Sequence, residues 1–257
     1  MQQRHLDRQQ YFNEQAYTTQ KYVIPFIEQQ HPVTPDVVVL EIGCGEGGNM
    51  KPFLDLGCRV TGIDLSVPQI ERAKEFYAAH PQQGKLTLIA EDIYRIESLP
   101  QPFDIIIMRD VIEHIPDQER FMSFVKRFLK PTGVLFIGFP PWQNPFGGHQ
   151  QIVRHRFISR TPWIHLLPRG AYAALLRSGG IDPGELLDIK STGISLERLE
   201  RFIKQADYHI RAKSLYVINP NYEAKFKLSP RKLWKVFQIP YIRNFYTTCG
   251  YYLISKK

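Results

Sequence analysis

Cysteine is scarce and scattered in this chain: three residues, Cys44, Cys58 and Cys249, with no Cys-x-x-Cys pair. An odd, widely spaced set argues against a disulfide framework and against a zinc site, so no metal ligands are expected. It suits a reducing cytoplasm, the expected location. No apolar run is long enough to cross a bilayer, and the opening MQQRHLDRQQYFNEQ lacks the apolar core of a signal peptide. The chain is therefore expected to stay where it is made. Internal repeats and low-complexity segments are also missing.

What is present is ordinary in amount and uneven in placement. With 257 residues, 43% hydrophobic and 23% charged, the chain can bury the core of one domain with an elaboration. Residues 1–140 carry 14 Lys and Arg against 18 Asp and Glu, a net −4; residues 141–257 carry 19 against 7, a net +12. The basic second half points to an anionic partner: a charged substrate, a membrane surface or nucleic acid. A solvated basic surface is the competing reading.

Residues 9–30 have apolar side chains near helical spacing, and residues 37–42 form an apolar run ending in an acid, as for a strand buried on both faces. A glycine-rich turn, a helix over 49–56 and a strand over 59–63 ending at Asp64 follow. Ser66 is placed to cap a helix running to about His80. Strands are predicted at 86–90, 103–108 and 134–139, with a helix over 117–129 between the last two. This alternation predicts an α/β fold: a doubly wound, mostly parallel sheet of seven strands, antiparallel at its last strand, with helices on both faces. The rhythm breaks at Pro140. The expected organisation is an N-terminal helical cover (1–35), an α/β core (36–139), an inserted lid after the fifth strand (140–190, with a helix near 169–178) and a C-terminal part completing the sheet (191–257). The last part reads as a helix over 196–206, a strand over 209–218, a helical stretch near 230–237 and a strand over 250–255.

Chemistry is concentrated at three strand ends. In Leu40-Glu41-Ile42-Gly43-Cys44-Gly45-Glu46-Gly47, glycines between a buried strand and a helix let backbone approach a ligand. Asp64, at the next strand end, is placed to accept hydrogen bonds from both hydroxyls of a ribose, and Asp92 follows the third strand near an adenine edge. Ligands of open parallel sheets bind beyond the carboxyl ends of the strands, so the three converge on one crevice. Capping of local helices is the competing role for each acid. Glu41 directly before the loop would repel a pyrophosphate, which disfavours a nicotinamide cofactor. It would attract a ligand carrying ammonium and sulfonium groups.

These residues resemble the Rossmann-like S-adenosylmethionine-dependent methyltransferases. The likeness runs through the motif above, Gly62-Ile63-Asp64-Leu65-Ser66, Ala90-Glu91-Asp92-Ile93, Phe103-Asp104 and Asp110-Val111-Ile112-Glu113-His114-Ile115. It implies that S-adenosyl-L-methionine binds across the segment from Glu41 to Asn49, Cys44 included, and leaves as S-adenosyl-L-homocysteine. Glu41 and the Gly43–Gly45 backbone would hold its methionine part, with Arg109 alongside. Asp64 would take the ribose hydroxyls, Leu65 would flank the adenine, and Asp92 with Ile93 would read its amino group. The family's N-terminal helix commonly covers the cofactor, which makes Tyr11 a lid contact, although core packing explains a tyrosine equally well.

No Asn/Asp-Pro-Pro-Tyr follows the fourth strand, which disfavours methylation of base amines or glutamine amides; Phe139-Pro140-Pro141-Trp142 reads as an exit turn. The Asp-Val-Ile-Glu-His-Ile pattern is similar to that of small-molecule and lipid-precursor methyltransferases, including the quinone-biosynthesis group. A hydroxyl nucleophile benefits from a general base near neutral pH, and His114 and His149 are the candidates, each with a structural role as the alternative. The expected reaction is O-methylation of a small-molecule, lipid-linked or sugar-linked acceptor. Trp142, Phe146, Trp163, Ile164, Leu166 and Leu167 are its expected apolar contacts, and Arg154, His155, Arg156 and Arg160 its anionic ones. Peripheral membrane contact fits the basic half. Two other readings remain: an RNA or protein methyltransferase gripping a macromolecule through that half, and a non-catalytic methyltransferase-like subunit.

Overall fold

The computed structural model describes residues 7–257 of the chain; residues 1–6 of the expected N-terminal cover lie outside them. Eight strands form one sheet: β1 Val38–Ile42, β2 Arg59–Asp64, β3 Leu86–Ala90, β4 Phe103–Arg109, β5 Leu129–Phe139, β6 Tyr208–Ile218, β7 Arg231–Lys232 and β8 Cys249–Lys256. Their order is β3-β2-β1-β4-β5-β8-β6-β7. β1 to β5 run parallel, and β8 inserts antiparallel between β5 and β6.

The expected count of seven strands is one short, and the same residues explain why. The helix predicted near 230–237 is instead the short strand β7 followed by a single tight turn at Lys235–Phe237. Arg231 and Lys232 pair with Ile218 and Tyr216 of β6, and Leu233 N–H bonds to Leu215 C=O at 2.7 Å, which ties the segment to the sheet edge. β5 also begins earlier than predicted. The Pro131-Thr132-Gly133 turn sits inside it as an irregularity in pairing with β4, where Leu129 still faces Phe103.

Helices cover both faces. On one, α5 (Gln118–Val125) and α9 (Leu196–Gln205) bury Phe121, Met122, Leu199 and Phe202 with Leu40, Ile106, Leu135 and Tyr252. Asp117 caps α5 by accepting from Arg120 N–H, and Ser195 caps α9 by accepting from Arg198 N–H. On the other face lie α1 (Arg8–Thr18), α2 (Ile24–Ile27), α3 (Lys51–Asp55) and α4 (Val67–Tyr77), packed on Val39, Val60, Ile105 and Phe136. The N-terminal helix is not continuous. A wide π turn at Thr19–Val23 separates α1 from α2, and such turns collect at functional sites.

The segment after β5 builds a small core of its own. α6 (Arg156–Arg160), α7 (Arg169–Ser178) and α8 (Gly184–Thr192) enclose Ile158, Tyr172, Leu176, Leu186 and Ile189. Sequence reading missed α8 and α10 (Asn221–Phe226); both follow a proline, at Pro183 and Pro220, and α10 is very short. No helix among the described residues is long and apolar enough to cross a membrane.

Candidate active site

Parallel register brings the expected site residues to one edge. Glu41 pairs with Gly62 and Ile107, Asp64 with Ala90, and Arg109 with Gly138, so the ends of β1 to β5 form a common rim. A cavity of about 440 Å³ opens there, within the range of small-ligand sites. Its lining includes Gly43, Asp64, Leu65, Asp92, Ile93 and His114. Leu65 is 73% exposed at its mouth, an apolar side chain with a free face for an aromatic ring.

The loop after β1 is shaped for close approach. Gly43 has φ +70°, and a Cβ there would lie 2.4 Å from Val111 Cγ2; Gly45 has φ +54°, with a Cβ 2.7 Å from Gln69 Oε1. Both positions need glycine. Asp64 is held by backbone: Gly45 N–H donates to Oδ2 and Ser66 N–H to Oδ1, each at 2.8 Å. One donor per oxygen leaves lone pairs free for two further hydroxyl donors. Ser66 stands at the expected N-cap position of α4, but its hydroxyl makes no capping bond; its own N–H is the group that donates to Asp64. Asp92 Oδ1 accepts from Tyr94 N–H at 2.9 Å, so the carboxylate both caps a turn and faces the cavity.

Glu41, Asn49 and Arg109 stand together behind the loop, outside the lining of this cavity. Glu41 is fully buried; its Oε1 accepts from Asn49 Nδ2 at 2.7 Å, and its Oε2 has no partner. Asn49 Oδ1 in turn accepts from Arg109 at 2.8 Å and from Thr19 Oγ1 at 2.9 Å, which is where the π turn meets the site. Arg109 also donates to Asn221. Burial pushes the Glu41 carboxyl up to about 8, against the pull of the Asn49 bond and the Arg109 charge. Cys44 points away, its thiol buried beside Gly62 in the core, so only its backbone can serve a ligand. Tyr11 sits on α1 within the field of Asp110 and Arg109, and its hydroxyl is pushed up to about 12, chiefly by burial. It is outside the cavity lining, and Lys225 lies over its ring at 5.9 Å.

A second cavity, of about 620 Å³, lies against the inserted segment and is lined by Arg8, His149, Ile152, Asp182, Glu185 and Lys225 among others. The two cavities adjoin at the histidines: His114 lines the first, His149 the second, and their rings stand edge to face at 5.2 Å. His149 holds a left-handed backbone at φ 55°, unusual for a residue with a Cβ, and sparsely populated conformations collect at functional sites. Burial and the neighbouring His114 lower its proton affinity to about 4; burial also lowers that of His114.

Beside them Glu113 is 4% exposed with both carboxylate oxygens unpartnered, and burial raises its proton affinity strongly. Glu113, His114 and His149 offer ligand atoms within 4.8 Å of one another. Sequence reading expected no metal, because it weighed cysteine and did not pair Glu113-His114 with a histidine 35 positions on. A carboxylate with two imidazoles suits a divalent cation. Coordination would draw the donors to within about 3.5 Å of each other.

The expected acceptor contacts are displaced. Trp142 packs on His165 at 4.7 Å, Ile164 on the inserted core, and Trp163 and Leu167 face solvent. None of these, nor Phe146 or Leu166, lines the second cavity, whose apolar wall is Ile152, Val153, Ile181 and Leu186. His155 caps α6 by accepting from Ile158 N–H, and Arg154, Arg156 and Arg160 are exposed away from it. Arg8 and Lys225 are the cations that do reach it.

The cradle fits S-adenosylmethionine on its own terms. Gly43 presents backbone to the cavity at a positive φ, Asp64 has acceptor capacity left, and an unpartnered carboxylate oxygen on Glu41 suits positive charge. Residues 40–137 match the family described as "Methyltransferase domain". The chain is 32% identical over 188 residues to a ubiquinone biosynthesis O-methyltransferase of Coxiella burnetii (strain RSA 493 / Nine Mile phase I), covering 69% of this chain and 74% of that protein. The fold is similar to a putative sarcosine dimethylglycine methyltransferase from Galdieria sulphuraria (TM-score 0.62, 15% identity, 93% of this chain and 85% of that one). It is also similar to an S-adenosylmethionine-dependent methyltransferase from Clostridium acetobutylicum (TM-score 0.57, 14% identity, 93% and 91%). A relative of that identity and coverage, together with these strand-end residues, shows that the chain belongs to the Rossmann-like S-adenosylmethionine-dependent methyltransferases.

Proposed function

We propose that this methyltransferase acts on a hydroxyl of a small, partly apolar acceptor seated in the cavity of Ile152, Ile181 and Leu186. The observation that carries the reading is the junction of two cavities at the His114–His149 pair, where a donor and an acceptor bound on either side would meet. The name of the Coxiella relative supports oxygen as the nucleophile and a small molecule as its carrier. Arg8 and Lys225 line the cavity together with Asp182 and Glu185, which suits an acceptor with polar groups of either sign, and the buried free thiols suit a reducing compartment such as the cytoplasm.

When bound, S-adenosylmethionine supplies an electrophilic methyl group. The protein's share is alignment, exclusion of water and management of one proton. His149, with proton affinity lowered to about 4, is neutral at pH 7 and has a lone pair available. An imidazole this weak cannot ionise a hydroxyl beforehand. It can take the proton late, as the alkylated oxygen becomes strongly acidic. Gly147 and Gly148 pack the turn that carries His149 tightly on the inserted segment: a Cβ at either would lie 2.2 Å from Trp142 C=O or His165 Cβ respectively.

The test pairs the acceptor chemistry with the histidine. Purified protein and radiolabelled cofactor are offered alkyl-substituted hydroxylated aromatic acids and their amine counterparts. Label is expected on oxygen, and His149→Ala is expected to cut turnover about a hundredfold or more while leaving cofactor affinity unchanged. Label on nitrogen or carbon sinks the acceptor assignment, and full turnover in the variant removes His149 from the reaction. A second reading comes from the Glu113 cluster: turnover lost on chelation and restored by a divalent cation would reassign the histidines as metal ligands.

A further inference from the structure

Between β7 and β8 the usual burial pattern is inverted. Trp234, Val236, Phe237, Ile239, Tyr241 and Ile242 are between 47% and 74% exposed, while Arg243 and Asn244 are 6% and 1% exposed. The inversion is built rather than loose. Arg243 bonds Glu197 at 2.9 Å and Glu200 at 3.0 Å, Asn244 Oδ1 accepts from Leu196 N–H at 2.8 Å, and Tyr241 N–H donates to Glu197 at 2.9 Å. Tyr241 is held at φ +65° by this arrangement, a strained backbone whose effect is to keep its ring outside. Trp234 and Phe237 stack at 6.3 Å on the same surface.

Six large apolar side chains exposed within nine residues, two of them stacked on each other, mark a surface that meets a partner. Charge tells which. From Ala224 to Lys257 the chain has eight Lys and Arg and no Asp or Glu. Arg231, Lys232 and Lys235 are exposed within the patch. A second copy meeting this face symmetrically would set like charges against each other. The rings of Trp234, Phe237 and Tyr241 can stack on nucleic-acid bases, but protruding aliphatic Val236, Ile239 and Ile242 add apolar area that a nucleic acid would leave uncovered. Amphipathic Trp and Tyr rings, protruding aliphatics and flanking cations are the composition of an interfacial anchor.

We infer that residues 231–246 form a docking surface for an anionic lipid bilayer, seating the protein by insertion of the Trp234–Ile242 side chains between headgroups. The inference stands on this segment alone and does not depend on which acceptor is methylated. It places the sheet edge formed by β7 on the membrane and gives the basic half a partner.

The test uses the full chain with vesicles of phosphatidylglycerol and phosphatidylcholine mixed, or of phosphatidylcholine alone. Flotation is expected only with the mixed vesicles and is expected to weaken with salt. Binding is expected to fall about tenfold or more in Val236→Asp/Ile239→Asp and in Lys232→Glu/Lys235→Glu. Unchanged S-adenosylhomocysteine affinity in each variant verifies the fold. The chain has three tryptophans, so a vesicle-induced blue shift that disappears in Trp234→Phe assigns the contact. Binding that the variants do not alter, a shift that survives Trp234→Phe, or no binding to either vesicle overturns the inference. So does a dimer in solution that Val236→Asp/Ile239→Asp dissociates.

Discussion

If Glu41 holds the methionine part of the cofactor as proposed, it links cofactor affinity to pH. Its ordinary value is 4.5, and complete burial lifts it to about 8 in the folded protein without ligand. At pH 6 the folded chain therefore holds Glu41 neutral, whereas the unfolded chain ionises it. Folded protein thus binds one proton more than unfolded between those two values, and this group's contribution to stability falls as pH rises from about 4.5 to about 8, then levels. A cationic ligand near Oε2 favours the carboxylate, so binding should expel the proton. Each pKa unit corresponds to about 1.4 kcal/mol, so S-adenosylmethionine affinity is expected to fall by up to about tenfold per pH unit below 8.

Glu41→Gln keeps the shape and an acceptor for Asn49 while removing the titration. The difference between wild type and variant cancels any titration of the ligand itself. Calorimetry at pH 6, 7 and 8, each in two buffers of different ionisation enthalpy, reads both slope and proton release. Wild type should show buffer-dependent enthalpy below pH 8, and the variant should show weaker binding with a flat profile. The variant should also melt higher than wild type at pH 8, because it no longer buries a charge. Identical enthalpies in both buffers at pH 6 would refute the reasoning: Glu41 would then keep its protonation state on binding.

Two further outcomes test the rest of the cradle. Asp64→Ala removes the acceptor of the Gly45 and Ser66 N–H groups and should weaken cofactor binding by roughly 1–3 kcal/mol, read by calorimetry; an unchanged dissociation constant contradicts the ribose role. Gly43→Ala forces a Cβ to 2.4 Å from Val111 Cγ2 at a positive φ and should cost roughly 1–3 kcal/mol of stability, read as a lower denaturant midpoint. Cofactor affinity should fall with it, and an unshifted midpoint refutes the fit.

The core was legible because its signals are local. β3 and α7 occupy their predicted residues, and β1, β2 and β4 lie within a residue of theirs; for β1 and β4 a run of buried apolar residues closed by a charged residue or glycine has one sensible conformation in a parallel sheet. Asp64, Leu65, Asp92 and Ile93 meet in one cavity for the same reason: strand ends in register are a short-range consequence of strand order. What lies after β5 depends on distant partners. Trp142 looked like an acceptor contact by its chemistry, yet His165 and Gly193 take it into the inserted core. Ile152 and Leu186, less conspicuous in sequence, line the cavity instead.

The same limit explains the two features that sequence did not announce. Glu113 and His149 are 36 positions apart, and only the turn after β4 and the left-handed turn after β5 bring them together. In the 231–246 segment, amphipathic periodicity cannot tell which face turns inward; that is decided by Glu197 and Glu200 on α9, which hold Arg243 and Asn244 and leave the apolar residues outside. Arg243 is buried while its partners Glu197 and Glu200 keep 16% and 27% of their side-chain exposure, and taking a guanidinium that far out of water is costly even when it is paired. A sequence selected for stability alone would have put Ile242 and Phe237 in and Arg243 out. That this chain does the reverse points to a use for its apolar face outside its own core.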